Sequence, residues 1–538
     1  MSDEQRSADE SLMKLGYQQE MQRTRNLWQT LFMSLAILAI PFGLATTIST
    51  GLVGGGPATM FWGFVLVSCF MVPVVLSLAE ICAKFPTSAG TYYWSFRLAS
   101  PRRRILLSWI NGWLNLAGNW MVSLSVTFGT TQLLIAGIGI FHPDWVATTW
   151  QTCTEENPAA AALFADGPID LLLVAITFVF TGIGIFFNGA LPSIDIASAV
   201  WIFLGTVVTM VCLSVKAGVG RRSASFAFGF FDPSNSGWVP GWSFFIGLLP
   251  PAFAYSAVCM IASMAEEVKN PSVNLPRAMI WQVPIGLVNG IVYLLPIMFT
   301  LPDIEALLAV PGGQPIGVLY TTVMGSKAGG FGVWIILFGI GVFCGISILC
   351  AASRTTWAFA RDKAIPFHRT FAYIPPGKSV PLNAYLLSTL VQLLLGLIYL
   401  GSSTAFNAFV GVAVMCLGAS YAIPIAISLA NGRRDVKDSP YPLGRWGIPL
   451  NVISIAWVAF EIVLFSMPPV VPVTEVTMNY ASVVFVGFGV ISAGWYMISG
   501  RHHYTGPPQP REDRYESEAK APVPQEDEDV NGKSSHSA

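Results

Sequence analysis

The chain has 538 residues, of which 53% are hydrophobic and 11% charged, with a mean hydropathy of +0.59. An ordinary soluble domain carries roughly 25% charged residues. The 29 basic and 30 acidic side chains here are too few to solvate a globule of this size, and the formal net charge of −1 points to no partner. The composition excludes a soluble enzyme, a nucleic-acid binder and a disordered scaffold, and leaves an all-α polytopic membrane protein. The eight cysteines include no CxxC pair, so neither a disulfide framework nor a zinc site is expected.

In chain order, residues 1–28 read as a cytoplasmic N-terminal tail. The opening MSDEQRSADE lacks the charged-then-apolar character of a cleaved leader, so the first span is expected to act as the signal. A membrane-crossing helix needs about 20 apolar residues. Such stretches fall at 31–53, 60–83, 105–138, 169–188, 193–215, 241–265, 279–300, 329–352, 382–400, 404–429, 447–467 and 479–499, which predicts twelve spans within a domain of residues 29–500. Pro41-Phe42-Gly43 interrupts the first, and Pro250-Pro251 the sixth. From 501 to 538 the chain is rich in Pro, Glu and Asp and nearly free of apolar residues, the composition of a disordered cytoplasmic tail.

With the N-terminus inside, 25 of the 29 Lys and Arg fall on the cytoplasmic side of these spans. This is a positive-inside pattern that a single miscounted helix would invert. Both termini are therefore expected to be cytoplasmic. No Lys or Arg lies in a span core, and the acids in or near the membrane are Glu80, Asp170, Asp195, Glu266, Glu267 and Glu461. Such acids are costly in lipid and are commonly functional or paired.

Three segments carry motifs. After the second span comes Glu80-Ile-Cys-Ala-Lys-Phe-Pro86-Thr-Ser-Ala-Gly90 with Tyr92-Tyr93-Trp94 behind it. After the sixth comes Glu266-Glu267-Val-Lys-Asn270-Pro271, then Pro276-Arg277. After the eighth comes Ser353-Arg354, then Arg361-Asp362-Lys363 and Pro366. In this order, each at a cytoplasmic helix end, they resemble the amino acid–polyamine–organocation permease superfamily, and within it the fungal amino-acid/choline branch of GABA and choline permeases. The resemblance spans roughly residues 25–500.

The resemblance implies a leucine-transporter-like fold, five helices and an inverted repeat of five followed by two more, with substrate held between the broken first and sixth helices. A substrate carboxylate would sit at Ile40–Leu44, that is at Pro41, Phe42 and Gly43, with Thr46 and Thr47 just beyond. An amine would meet carbonyls around Phe253, Ala254 and Ser256, with Tyr255 as a gate. Where the branch often carries an Asp and a His in the sixth span, this chain has Cys259 and Ser263, so a fixed counter-charge for a polycation is missing. The third span adds Asn111, Asn115 and Asn119, which share one helix face. Asn115 and Asn119 are the deeper candidates to flank the path, and interhelical hydrogen bonding is their plainer role.

These readings predict a membrane transporter, not an enzyme, for amino acids or GABA-like zwitterions. It is expected to be proton-coupled, to need no cofactor or metal, to have no nucleic-acid partner and to lie in the plasma membrane, with the vacuole as alternative. A choline or polyamine transporter is the runner-up, because aromatic rings can hold a quaternary ammonium; a non-transporting nutrient sensor is the other class. Glu80 and Glu266 are the expected proton carriers, with an Arg partner as the plainer role for Glu80. Arg354, Arg361 and Asp362, facing Glu266 and Glu267, are expected to form a solvent-exposed inner gate worth about 0–1 kcal/mol.

Overall fold

In lipid every backbone N–H and C=O must be satisfied within its own segment, so apolar stretches of this length are driven to helix. The computed structural model describes residues 3–142, 167–310, 314–375, 379–398, 403–474 and 477–508. Among them ten helices are long and apolar enough to cross a membrane: Leu27–Thr46, Pro57–Lys84, Arg104–Phe141, Asn188–Lys216, Pro240–Met264, Pro271–Phe299, Lys327–Arg361, Phe406–Ala430, Gly444–Leu464 and Ala481–His503. Two shorter apolar helices, Leu171–Phe186 and Leu382–Gly396, stand at the fourth and ninth positions, and the ordinals below keep that numbering. The chain is a multi-pass, all-helical membrane protein. Its described residues contain no strand, only an isolated bridge between Arg25 and Val268.

The sixth helix is the innermost, with 89% of its apolar window buried, whereas the twelfth is 11% buried and lies on the rim. The first and sixth helices are both broken. The first runs as Leu27–Leu38, N-capped by Asn26 with Gln29 completing a capping box. It then turns through Ala39 in the left-handed region (φ 40°) and restarts as Ile40–Thr46. The expectation placed this break at Pro41-Phe42-Gly43; it falls at Ala39 instead. Pro41 sits in the first turn of the restarted helix, where its missing N–H costs nothing.

The sixth is interrupted next to Pro250-Pro251, as expected. A first segment, Pro240–Ile246, ends at a turn through Gly247 and Leu248, and the prolines open the segment Leu249–Ser256, where their missing N–H groups cost nothing. A second unwinding comes after Ser256, before a 3₁₀ stretch at Met260–Met264.

The tails are also more ordered than their composition suggests. Residues 17–25 lie across the basic end of the bundle, where the Thr24 and Arg25 N–H groups both donate to the Glu267 carbonyl. At the other terminus, Arg501–His503 forms a helical turn and Tyr504 is buried, its hydroxyl 2.8 Å from Ser108 Oγ. The Tyr504 ring finds a slot beside Trp109 and Phe359, which outweighs the polar character of its neighbours. The expectation of disorder from 501 onward is corrected for 501–508; residues 509–538 lie outside the described ones, as does Cys153.

Candidate functional site

The two broken helices touch at Gly43 and Ala254. A Cβ built on Gly43 would lie 2.9 Å from Ala254 Cβ and 3.0 Å from its Cα, so glycine alone allows this approach. A second close pass, Gly54 against Gly247, would leave a Gly54 Cβ 2.3 Å from Gly247 Cα. Beside the first crossing, Ile37, Leu38, Gly43, Ala254, Ala257 and Cys344 line a cavity of about 10 Å³. That is room for about one water. The site is closed in this conformation.

The freed backbone groups are nearly all taken. Pro41 cannot donate to the carbonyl four residues back, and that carbonyl, of Ile37, accepts from Cys344 Sγ at 3.3 Å. The Phe42 and Gly43 N–H groups both donate to the Ala39 carbonyl. In the sixth helix, the Ser256 carbonyl accepts from the Tyr421 hydroxyl at 2.8 Å and the Val258 carbonyl from Gln282 Nε2 at 2.7 Å. The first-turn N–H groups of Ile40–Thr46 and the Ile37 carbonyl thus border the crossing, the Ser256 and Val258 carbonyls follow Ala254 along the sixth helix, and no charged side chain lines the cavity.

The sequence candidates divide. Phe42, Gly43, Phe253 and Ala254 line the cavity. Pro41 and Cys259 are buried beside it. Thr46 and Thr47 spend their hydroxyls on their own helix, on the Phe42 and Gly43 carbonyls. Tyr255 points away: its hydroxyl accepts from Ser68 Oγ at 3.1 Å and its ring stacks on Phe64. The Ser256 hydroxyl donates to the Phe253 carbonyl. Asn119 donates to Asn115 and accepts from Thr355 of the eighth helix, and the third helix meets the cavity through Val122 and Val126 instead. Cys344, Gln282 and Tyr421 were not singled out from sequence. Gln282 and Tyr421 carried a readable signal, being polar groups in otherwise apolar spans.

At the basic end, the expected gate residues do meet, but not as exposed pairs. Arg354 Nε donates to Glu267 Oε1 at 2.9 Å, and its Nη2 to Asn188 Oδ1 at 2.7 Å. Arg25 pairs with Asp195 and lies 3.7 Å from Glu267 Oε2, while Ser347 Oγ donates to Asp195. Two guanidinium groups and two carboxylates therefore balance one another. In a second cluster, Arg361 Nη1 donates to Glu266 Oε1 at 2.9 Å, with the guanidinium between the Tyr17 ring at 4.2 Å and the Trp357 ring at 4.3 Å. Asp362 accepts from the Tyr17 and Tyr92 hydroxyls at 2.7 and 2.8 Å. Burial pushes the Asp362 carboxyl above the ordinary carboxylate range, while Arg361 pulls it down. Arg354 is 0% and Glu266 1% exposed. The expectation of solvent-exposed pairs fails because residues 17–25 cover them.

Glu80 has the plainer of its two expected roles in this conformation. Arg433 Nη2 donates to both its oxygens, at 2.7 and 2.6 Å, and the Leu443 N–H to Oε1 at 2.8 Å. With Ser439 Oγ on the Glu80 carbonyl, this ties the loop after the tenth helix to the end of the second. Removing one partner of a buried ion pair costs about 3–5 kcal/mol. Glu80→Gln is therefore expected to lower the unfolding temperature of the purified protein clearly, while the ratio of uptake with and without a pH gradient stays as in wild type. A lost gradient response at unchanged stability would return Glu80 to proton carriage.

The geometry is that of two crossed, broken helices over a sealed basic end. The sequence model of the amino acid permease family matches residues 26–488, nearly the whole helical domain. The chain belongs to the amino acid permease family. This permease is 31% identical to amino-acid permease BAT1 of Arabidopsis thaliana over 92% of its own length and 95% of the relative's. It is 29% identical to a choline transporter of Saccharomyces cerevisiae, covering 90% and 83% of the two chains. It is 30% identical to the polyamine transporter TPO5 of the same yeast, covering 93% and 78%. The permease is accordingly a transporter and not an enzyme.

Proposed function

We propose that this permease is a secondary active transporter that carries a zwitterionic amino acid or GABA-like solute, driven by a proton gradient. The observation that carries the reading is the crossing at Gly43 and Ala254, where the N–H end of the restarted first helix and the freed carbonyls of the first and sixth helices lie near a cavity without a charged side chain. A neutral zwitterion needs both signs and no fixed counter-charge. A polyamine needs carboxylates, and none lines this cavity. The choline reading keeps one observation in its favour, the Phe42 and Phe253 rings at the cavity wall.

In this proposal twelve spans form two inverted sets of five plus two. The broken first and sixth spans open the two sets, both termini are cytoplasmic and the host is the plasma membrane. The substrate carboxylate meets the restart of the first helix around Pro41, Phe42 and Gly43, with Thr46 and Thr47 behind. The ammonium displaces the Tyr421 hydroxyl from the Ser256 carbonyl, near Phe253, Ala254, Tyr255 and Cys259. Asn115 and Asn119 steady the third span against the eighth. The Arg354–Glu267 and Arg361–Glu266 pairs, with Asp362, hold the inner gate shut while the site faces outward. Uptake of labelled GABA, a neutral amino acid, choline and spermidine into proteoliposomes tests the reading: saturable uptake of a zwitterion, faster with an inward proton gradient, is expected, and a preference for spermidine would overturn it.

A further inference from the structure

The ion pairs just described absorb nearly every buried acid. Glu80 faces Arg433, Glu266 faces Arg361, and Glu267 and Asp195 share Arg354 and Arg25. Glu461 is different. It lies inside the eleventh helix, Gly447–Leu464, and is 4% exposed. Among the described residues no Lys, Arg or His pairs with it. Its carboxyl faces the tenth helix at Gly418, whose missing side chain leaves the space: a Cβ there would lie 3.9 Å from Glu461 Oε2. On its own helix it has Val458 and, one turn back, Trp457, whose buried indole N–H makes no bond of ordinary geometry and is the polar neighbour of the carboxyl. The second helix, also packed against this one, presents Phe70, stacked on Trp457 at 4.6 Å. No charged group faces Glu461 from any of these elements. An unpaired carboxylate is costly in such a place, and a bound proton removes that cost.

Two further observations connect Glu461 to transport. One turn further along its helix, about 5.4 Å, Leu464 and Phe465 line a chamber of about 240 Å³ together with Thr50, Asn407 and Gly411. This chamber, which Thr477 and Asn479 also border, lies toward the end opposite the charged clusters, the side from which a proton would enter. On the inner side, Gly418 is three residues from Tyr421, the residue whose hydroxyl holds the Ser256 carbonyl at the break of the sixth helix. A shift of the tenth helix therefore moves both the wall of Glu461 and a contact of the substrate site.

We propose that Glu461 is the proton-binding site of this permease. A proton from the outer chamber bonds to the carboxylate to give the neutral acid, which fits the dry pocket at Gly418. Movement of the tenth helix with the sixth readmits water, and the proton leaves as the carboxylate reforms. The proposal rests on the proton-coupled reading above and deepens it.

The test uses the full chain in lipid. Infrared difference spectra between acidic and alkaline buffer are expected to show the C=O stretch of a protonated carboxyl that titrates, that disappears in Glu461→Gln and that persists in Glu80→Gln. A band unchanged in Glu461→Gln overturns the proposal. Should that variant fail to reach the membrane, Glu461→Asp replaces it: the band must shift in frequency and midpoint, and an unmoved band is equally fatal. Uptake of labelled GABA, choline and spermidine supplies the second arm. Where the wild type responds to an inward proton gradient, Glu461→Gln is expected to lose at least tenfold of that response. A gradient response kept in full by Glu461→Gln sinks the proton site and leaves coupled transport standing. A wild type that carries a probe indifferently to the gradient sinks the coupled reading itself.

Discussion

Gly43→Leu is expected to abolish uptake while the protein still reaches the membrane. The Gly43 side-chain position already lies 2.9 Å from Ala254 Cβ and 3.0 Å from its Cα. Even a methyl group forces the two broken helices apart, and a branched four-carbon side chain also fills the small cavity beside them. Overpacking a tight contact costs about 1–3 kcal/mol, which a membrane bundle of this size can survive, so the loss should appear in transport before it appears in folding. Gly43→Ala is expected to impair uptake less. The pair Gly43→Ala with Ala254→Gly should recover part of it, because the second change removes the nearer of the two clashing carbons. Ordinary uptake kinetics in Gly43→Leu would remove residues 40–47 from the substrate site. A double variant no better than Gly43→Ala would show that the crossing itself is not what glycine protects.

Arg354→Ala is expected to open the inner gate. Arg354 is fully buried and bonded to Glu267 and Asn188, so its loss leaves Glu267 with only the more distant Arg25. Breaking such a pair costs about 3–5 kcal/mol. Here the cost falls on the conformation with its basic end sealed. Since about 1.4 kcal/mol is a factor of ten in population, the balance should swing toward the inward-open form by a hundredfold or more. Cys350, one turn back on the same helix and buried, reports the change. Its labelling by an impermeant thiol reagent from the basic side should rise strongly in Arg354→Ala. Arg361→Ala should act in the same direction more weakly, because the Arg361 side chain keeps 13% exposure. In both variants accessibility should change more than substrate affinity. Unchanged labelling with a fall in affinity would make these arginines substrate contacts and end the gate assignment.

The helical architecture was legible because it rests on the strongest signal a sequence carries, apolar runs of membrane length bounded by charge. The breaks at the prolines were legible to within a few residues. Pro41 and Pro250-Pro251 announce that a regular helix cannot pass through them. A proline costs nothing in a first turn, so the chain ends one helix just before each and starts the next on it, at Ala39 and at Gly247-Leu248. The further unwinding after Ser256 carries no proline and was not legible. The charge pairs were legible as clusters of opposite sign. Their burial was not, because the cover comes from residues 17–25, a polar segment whose composition resembles a solvated tail. Tyr17 and Arg25 become structural only once Asp362 and Asp195 are in place to receive them. The lining of the cavity was the least legible part. Cys344 and Ala257 are ordinary membrane-helix residues, and only the freed carbonyl of Ile37 gives Cys344 a special task.

The most direct test of the central claim, that the crossing of the first and sixth helices is the heart of a coupled transporter, is uptake into proteoliposomes holding the purified full chain. Labelled GABA, a neutral amino acid, choline and spermidine are offered with and without an inward proton gradient, to wild type and to Gly43→Leu. Wild type is expected to show saturable uptake of a zwitterion, faster with the gradient, and folded Gly43→Leu none. Folded wild-type protein that binds one of these solutes but carries none of them under either condition would contradict that claim, and would make the chain a sensor built on a permease fold.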